Sequence, residues 1–296
     1  MRPTSPAIDP SLPARVLRSA RPSGTRVAVG PVEIGGPAFV VAAGPCAVES
    51  AAQTESVAES VAEAGAHLLR GGAFKPRTSP YAFQGLGEAG LSILGRSGAR
   101  HGLPVVAEVL ETSQLASMID HVDVLQVGAR NMQNFTLLRA LGKVRRPVLL
   151  KRGFAATVDE WLLAAEYLLD GGNTQVVLCE RGIRTFETAT RNTLDLASVV
   201  LVKQRSHLPV LVDPSHATGL SELVIPMALA AAAAGADGLL VEVHGRPEEA
   251  LCDGRQALTP AQFSELMQRL PLVLQAVGRP LHHRVASAPA VRAVSP

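Results

Sequence analysis

Short apolar runs alternate with stretches of helical apolar spacing along most of this 296-residue chain. Residues 38–43 form an uninterrupted apolar run that predicts a buried strand. Ser50, with Gln53 three residues on, predicts a capping box for a helix with apolar positions at 57, 58, 61 and 62 and a stop at Gly65. The unit then recurs. Strands are predicted over 67–70, 105–109, 124–127, 148–151, 175–179, 209–212 and 238–243. Helices are predicted between them over 88–100, 115–119 behind Thr112, 135–141, 193–202 and 221–234. Another runs from the Thr157/Glu160 capping box to Gly171, and a last one starts at Thr259-Pro260 with apolar positions at 263, 266, 267 and 270. Ahead of the series, 26–36 alternates apolar and other residues on both sides of Gly30-Pro31, which reads as a β-hairpin.

Eight strand–helix units in succession predict an α/β protein, a (β/α)8 TIM barrel, since such barrels take about 250 residues. A doubly wound sheet would carry a glycine-rich nucleotide turn after its first strand, which Gly44-Pro45-Cys46 does not resemble. The hairpin then caps the bottom of the barrel. The division expected is 1–25 as a disordered or loosely docked extension, 26–36 as the hairpin, 37–276 as the barrel and 277–296 as a mobile tail.

Composition narrows the function classes. The chain is 47% hydrophobic, enough for a sizeable core, and its net charge of +2 makes no case for nucleic acid or an anionic membrane as partner. Three irregularly spaced cysteines do not suggest a disulfide framework, and a cytoplasmic setting follows. Residues 1–24 hold five prolines and four arginines but no apolar run, unlike a secretory signal, and the prolines would break the helix of a transit peptide. The most apolar stretch, 223–243, is interrupted by Pro226, Asp237 and two glycines, so no membrane span is expected.

Charge is scarce but locally concentrated. Only four lysines occur, yet Lys75 lies within ten residues of Arg70, Arg77, Thr78 and Ser79, around Pro76 and Pro80. That is the composition of an oxyanion receptor, although an exposed basic loop has the same composition. In a barrel the chemistry collects at the C-terminal strand ends, and every predicted strand delivers a polar residue there. Arg70, Lys75, Arg77, Arg130, Lys151 and Arg181 form a cationic group that needs a phosphate or carboxylate to neutralise it. Arg152 and Arg184, in the same loops, read as surface ion-pair partners. Cys46, His216, Glu242 and Asp253 form a second group. Taken singly they read better as a small core residue, a loop histidine, an ion-pair partner and a turn residue. If they converge, the mixed soft and hard donors suit Mn, Fe, Co or Zn better than Mg or Ca.

With these residues in view, the chain resembles the type I 3-deoxy-7-phosphoheptulonate synthases, in the compact branch shared with the 3-deoxy-8-phosphooctulonate synthases. The resemblance covers about 26–276 and rests on ordered motifs. They are Ala43-Gly-Pro-Cys-Ala-Val-Glu-Ser50, Arg70-Gly-Gly-Ala-Phe-Lys-Pro-Arg-Thr-Ser-Pro80, Gln126-Val-Gly-Ala-Arg-Asn131, Leu150-Lys-Arg-Gly153, Cys179-Glu-Arg-Gly182, Asp213-Pro-Ser-His216 and Val241-Glu-Val-His244. It implies an enzyme condensing phosphoenolpyruvate with erythrose 4-phosphate and water at the start of the shikimate pathway. One divalent metal is implied at Cys46, His216, Glu242 and Asp253. Phosphoenolpyruvate contacts are implied at Arg70, Lys75, Arg130, Lys151 and Arg181, and aldose phosphate contacts at Arg77 and Thr78. Lys75 is a candidate for proton transfer, on the expectation that crowding by cations lowers its pKa, and Glu108 for orienting water.

Arg77 after Pro76 points to erythrose 4-phosphate, because the octulonate enzymes, which use arabinose 5-phosphate, carry an Asn-containing loop there. A barrel kept as a non-catalytic regulatory subunit is the more distant alternative, and none of the implied ligands is missing. The resemblance further implies a homodimer or homotetramer. Residues 1–25 are too short and proline-rich for the regulatory domains of some relatives, so control is expected to be absent or to come from a separate regulatory partner.

Overall fold

The computed structural model describes residues 14–283. Strands β1 (Val27–Val29) and β2 (Val32–Ile34) pair antiparallel around Gly30, whose φ of +57° suits glycine. Eight parallel strands follow and close on themselves: β3 (Val40–Gly44), β4 (Leu68–Arg70), β5 (Val105–Val109), β6 (Val124–Val127), β7 (Val148–Lys151), β8 (Val176–Glu180), β9 (Val210–Val212) and β10 (Gly238–Glu242). Helices α1 (Ala51–Glu63), α2 (Glu88–Arg100), α3 (Leu115–His121), α4 (Phe135–Gly142), α5 (Val158–Asp170), α6 (Leu196–Arg205), α7 (Pro214–Thr218), α8 (Ser221–Ala233) and α9 (Pro260–Ala276) alternate with them. This is the (β/α)8 barrel that the alternation predicts. No helix among the described residues is long and apolar enough to cross a membrane.

Two-residue periodicity divides every strand between two cores. Val41, Leu69, Val105, Leu125 and Leu150 join the cluster shared with the surrounding helices. Val40, Leu68, Val106, Val124, Leu149, Val177 and Leu211 join a second cluster that also contains Val27, Val29, Val32 and Ile34 of the hairpin. Those four hairpin side chains are at most 4% exposed. The hairpin therefore plugs one mouth of the barrel with its apolar face, as its alternation predicts.

Several helix boundaries differ from expectation for local reasons. Ser50 accepts from Gln53 N at 3.1 Å, but the Gln53 side chain accepts from Glu49 N, so the reciprocal half of the expected box is not made. A Glu111/Gln114 box, not Thr112, opens the third helical segment. Asp195 caps α6 three residues later than predicted, by accepting from Ser198 N. The short helix α7 was not anticipated, and Asp213 caps it by accepting from His216 N at 2.9 Å. The Thr157/Glu160 box and the Thr259 cap form as the sequence indicates.

The two ends of the described chain are pinned. Val16 is fully buried; its N–H donates to Glu166 at 2.8 Å and its carbonyl accepts from Ser206 Oγ at 2.7 Å. Thr25 and the Arg15 carbonyl hold the two ring nitrogens of His207 at 2.7 and 2.6 Å. After α9, Arg279 pairs with Asp237 at 2.8 Å, and Leu281 bridges to Phe39 beside the start of β3. The remainder of the expected extension, 1–13, and of the expected tail, 284–296, lies outside the described residues.

Candidate active site

The inward parity that buries aliphatic residues against the hairpin continues to the other mouth and becomes polar there. Leu68 is followed two residues on by Arg70, Val106 by Glu108, Val124 by Gln126, Leu149 by Lys151, Leu211 by Asp213 and Leu240 by Glu242. One stripe per strand thus supplies both the barrel's packing and the side chains at its C-terminal rim.

Glu242 and three side chains from the loops at that rim converge as a potential metal centre. Donor atoms of Cys46, His216, Glu242 and Asp253 all lie within 4.8 Å of one another. Cys46 Sγ is 3.4 Å from Asp253 Oδ2, and His216 Nε2 is 3.3 Å from Glu242 Oε1 and 3.9 Å from Asp253 Oδ2. His216 Nδ1 lies 2.7 Å from Asp213 Oδ2. Because a carboxylate only accepts, Nδ1 carries the proton and Nε2 presents its lone pair to the cluster. Burial, together with the nearby Lys151 charge, lowers the His216 pKa more than Asp213 and Glu242 raise it, which favours that neutral ring. Burial opposes the charge on Asp253, but His216 and Arg191 draw its pKa down to about 2. A thiol, a neutral imidazole nitrogen and two ionised carboxylates fit a borderline divalent ion, so the residues present suit the metal that the resemblance implies. Asp253 is the one non-glycine residue described with positive φ, at +53°. That left-handed turn aims its carboxylate at the other three.

Beside the cluster opens a cavity of about 290 Å³. Lys75, Arg77, Thr78, Arg130, Lys151 and Arg181 all line it. Lys151 is ion-paired to Asp213, and Arg70 donates through Nη1 to Glu242 Oε1 at 2.9 Å and to the Pro45 carbonyl at 2.8 Å. Arg70 Nε is buried without a hydrogen-bond partner. Arg181 is 2% exposed and makes no ion pair among the described residues; it reaches the His216 carbonyl at 2.9 Å, and burial pulls its pKa down to about 10. The Phe154 ring lies under three guanidinium groups, those of Arg181 at 4.7 Å, Arg184 at 4.9 Å and Arg130 at 5.7 Å. A ring face attracts cations, so Phe154 gathers charges that would otherwise separate. Glu108 reaches over Gly128, where an added Cβ would come within 1.9 Å of Oε1, so the glycine makes room for the carboxylate.

Three expectations need correction. Lys75 is not a lysine of lowered pKa. Burial opposes its charge, but the Cys46 and Cys252 sulfurs and Glu242 outweigh both burial and Arg70, and the pKa rises. Its Nζ lies 3.1 Å from Cys46 Sγ and 3.0 Å from the Cys46 carbonyl. Arg152 does form ion pairs, but buried ones, with Glu180 at 3.0 Å and Asp195 at 2.9 Å. Arg184 makes no ion pair among the described residues and stacks on Phe154 instead.

Sequence reasoning passed over five side chains that the structure brings here. Asp213 and Gln126 were legible in principle, through parity with Leu211 and Val124. Cys252 was legible only as the neighbour of Asp253; its Sγ lies 3.5 Å from Cys46 Sγ and accepts from Arg77 Nη1 at 2.6 Å. The Cys46 thiol's hydrogen bond, then Lys75 and Arg77, lower the Cys252 pKa to about 7. Arg191 and Gln256 carried no local signal.

Such a rim sets a cationic cavity beside a possible metal site at the C-terminal mouth of a (β/α)8 barrel. Residues 23–275 match the profile of the DAHP synthetase I family, and the chain belongs to that family. It is 50% identical over 263 residues to the phospho-2-dehydro-3-deoxyheptonate aldolase of Thermotoga maritima, covering 89% of this chain and 78% of that one. The crystal structure of that DAHP synthase superposes with a TM-score of 0.88 at 49% identity, over 90% of this chain and 78% of the other. A truncated form of the Thermotoga maritima enzyme superposes with a TM-score of 0.85 and is covered to 98% of its length, with 90% of this chain. More distant is the 2-dehydro-3-deoxyphosphooctonate aldolase of Syntrophobacter fumaroxidans, 32% identical over 250 residues, covering 78% of this chain and 86% of that one.

Proposed function

We infer that the chain is a 3-deoxy-7-phosphoheptulonate synthase, joining phosphoenolpyruvate to erythrose 4-phosphate in the first step towards aromatic amino acids. The observation that carries the reading is the placement of the cationic cavity against the four-ligand cluster, with Lys75 touching both. The barrel, 37–276, does the chemistry, and 26–36 stoppers its far end. Arg70, Lys75, Arg130, Lys151 and Arg181 hold the phosphate and carboxylate of phosphoenolpyruvate, and the partnerless Arg70 Nε offers a hydrogen bond to an anion oxygen. Arg77 and Thr78 take the phosphate of the aldose. A divalent ion held by Cys46, His216, Glu242 and Asp253 supplies Lewis-acid polarisation of the aldehyde.

The methylene carbon of phosphoenolpyruvate bonds to the aldehyde carbon, and the aldehyde oxygen takes up a proton. Water adds at the carbon bearing phosphate and gives up one proton, which offsets the one taken up by the aldehyde oxygen. The bond from that carbon to the phosphate oxygen then breaks, and the hydroxyl proton leaves with the phosphate, giving the ketone. Lys75, with its raised pKa, is the proton donor to the aldehyde oxygen and not a base. Glu108, seated over Gly128, orients the water. Holding both substrates between one set of charges turns their encounter into a unimolecular step.

Phosphate release from phosphoenolpyruvate, compared between erythrose 4-phosphate and arabinose 5-phosphate, tests the reading. Turnover only with the four-carbon sugar is expected; preference for the pentose would make the chain an octulonate synthase. No turnover with either in the metal-loaded protein would leave a non-catalytic barrel. The same reading carries a cytoplasmic homodimer or homotetramer, and light scattering on the purified chain measures the subunit count. Mn, Fe, Co and Zn all suit the donor set, and metal analysis of the purified protein identifies the native ion.

A further inference from the structure

The oxygens that Glu242 and Asp253 turn away from the metal centre are joined to each other. Gln256 Nε2 donates to Glu242 Oε2 at 2.6 Å, while Gln256 Oε1 accepts from Arg191 Nη1 at 2.8 Å. The same Arg191 nitrogen lies 3.3 Å from Asp253 Oδ1. Facing the cluster are the other two oxygens, Glu242 Oε1 toward His216 and Asp253 Oδ2 toward Cys46 and His216. A closed chain thus runs from one carboxylate through an amide and a guanidinium to the second.

The surroundings hold this chain in one position. Gln256 is 2% exposed and ends a short turn, Gly254–Gln256, that begins at the left-handed Asp253. Arg191 N donates to the Thr218 carbonyl at 2.9 Å, at the C-terminus of the helix carrying His216. Gly219 follows with φ +71°, and a Cβ there would come within 2.6 Å of Arg191 Cβ, so the glycine leaves the arginine its path. Three separate loops, after β8, β9 and β10, meet in it.

We propose that Arg191 and Gln256 are positioning residues that fix the two carboxylate ligands for the divalent ion. The proposal rests on the ligand set named above. A bare electrostatic view predicts the opposite sign, since Arg191 places a positive charge beside a cation site and its removal would strengthen metal binding. Positioning dominates because a carboxylate free to rotate loses the alignment that makes it a ligand, and outer partners of this kind are worth about 10–100-fold in metal affinity. Asp253 is the ligand most exposed to that loss, because its backbone conformation is one that L-residues seldom adopt.

The test is Co²⁺ and Zn²⁺ binding to the full chain, with Co²⁺ followed by its thiolate charge-transfer and d–d absorption and Zn²⁺ by competition with a chelator. Gln256→Leu removes the amide without altering charge, and Arg191→Lys keeps the charge on a shorter, flexible stem that lacks the fixed geometry of the guanidinium. We expect each to weaken both ions about 10–100-fold and to shift the d–d bands. Gln256→Asn, one methylene shorter, reports on the same link if the leucine variant does not fold, as judged by thermal melting of the metal-free protein. Affinities and spectra within twofold of wild type in these variants would overturn the proposal. So would an Arg191→Lys variant whose only change is a raised KM for the aldose phosphate, since Arg191 also lines the catalytic cavity. Failure of the wild-type chain to bind one ion with a thiolate signature would instead remove the ligand set itself.

Discussion

Asp213 accepts from His216 Nδ1 at 2.7 Å while pairing with Lys151, so one carboxylate orients the imidazole of the four-donor cluster and a cavity-lining cation together. Burial opposes its ionisation, yet His216 and Lys151 hold its pKa well below the usual carboxylate range. Asp213→Asn keeps an acceptor for the imidazole but removes the charge that Lys151 faces. The variant should lose about 10–100-fold in divalent affinity and raise the KM for phosphoenolpyruvate. Chelator competition and steady-state kinetics check the two losses independently, and only their joint appearance supports a shared role.

Lys75→Met removes the ammonium that lies against both the four-donor cluster and the cationic cavity while keeping a side chain of similar length. Loss of general-acid assistance alone should lower kcat by about 10²–10⁴-fold. Circular dichroism and an unchanged melting profile would establish that the fold survives. Substantial residual turnover would take Lys75 out of the chemistry.

Removing the metal should abolish turnover and lower stability together. The four donors tie β10 to the loops after β3, β9 and β10, and an ion at about 1,000 times its Kd stabilises a fold by about 4 kcal/mol. Chelator treatment followed by re-addition of Mn²⁺, Co²⁺ or Zn²⁺, read by calorimetry and by phosphate release, checks both parts. A His216→Ala chain should show the lower melting temperature with or without added ion.

His207 should make stability depend on pH near neutrality. Burial lowers its pKa from 6.5, and Arg21 and Arg18 lower it further against the carbonyl of Arg15. The folded value therefore lies below the unfolded one, and between the two the unfolded chain binds a proton that the folded chain does not. The contribution of His207 is fully present above pH 6.5 and is lost as pH falls through the folded pKa. Melting temperatures of wild type should drop more steeply between about pH 7 and pH 5 than those of His207→Gln. Equal slopes would show that the contact with residues 15–25 is not linked to protonation.

The barrel, its plug and most rim residues follow from periodicity alone. Leu68 and Arg70 share one face of a strand because side chains alternate, and the same rule places Glu108, Lys151 and Glu242 at one mouth. Capping boxes such as Thr157/Glu160 are legible because both partners lie three residues apart. What the chain order could not settle is how charges on different strands neutralise one another. The sign of the Lys75 shift depends on Cys46, Cys252 and Glu242, the last of them 167 residues away, and only barrel closure sets those distances. The link from Glu242 through Gln256 and Arg191 to Asp253 has no spacing rule either, since three loops must first converge. Local pattern therefore determined which residues reach the rim, and tertiary packing decided which of them act on each other, because Coulomb and hydrogen-bond energies depend on separation in space and not along the chain.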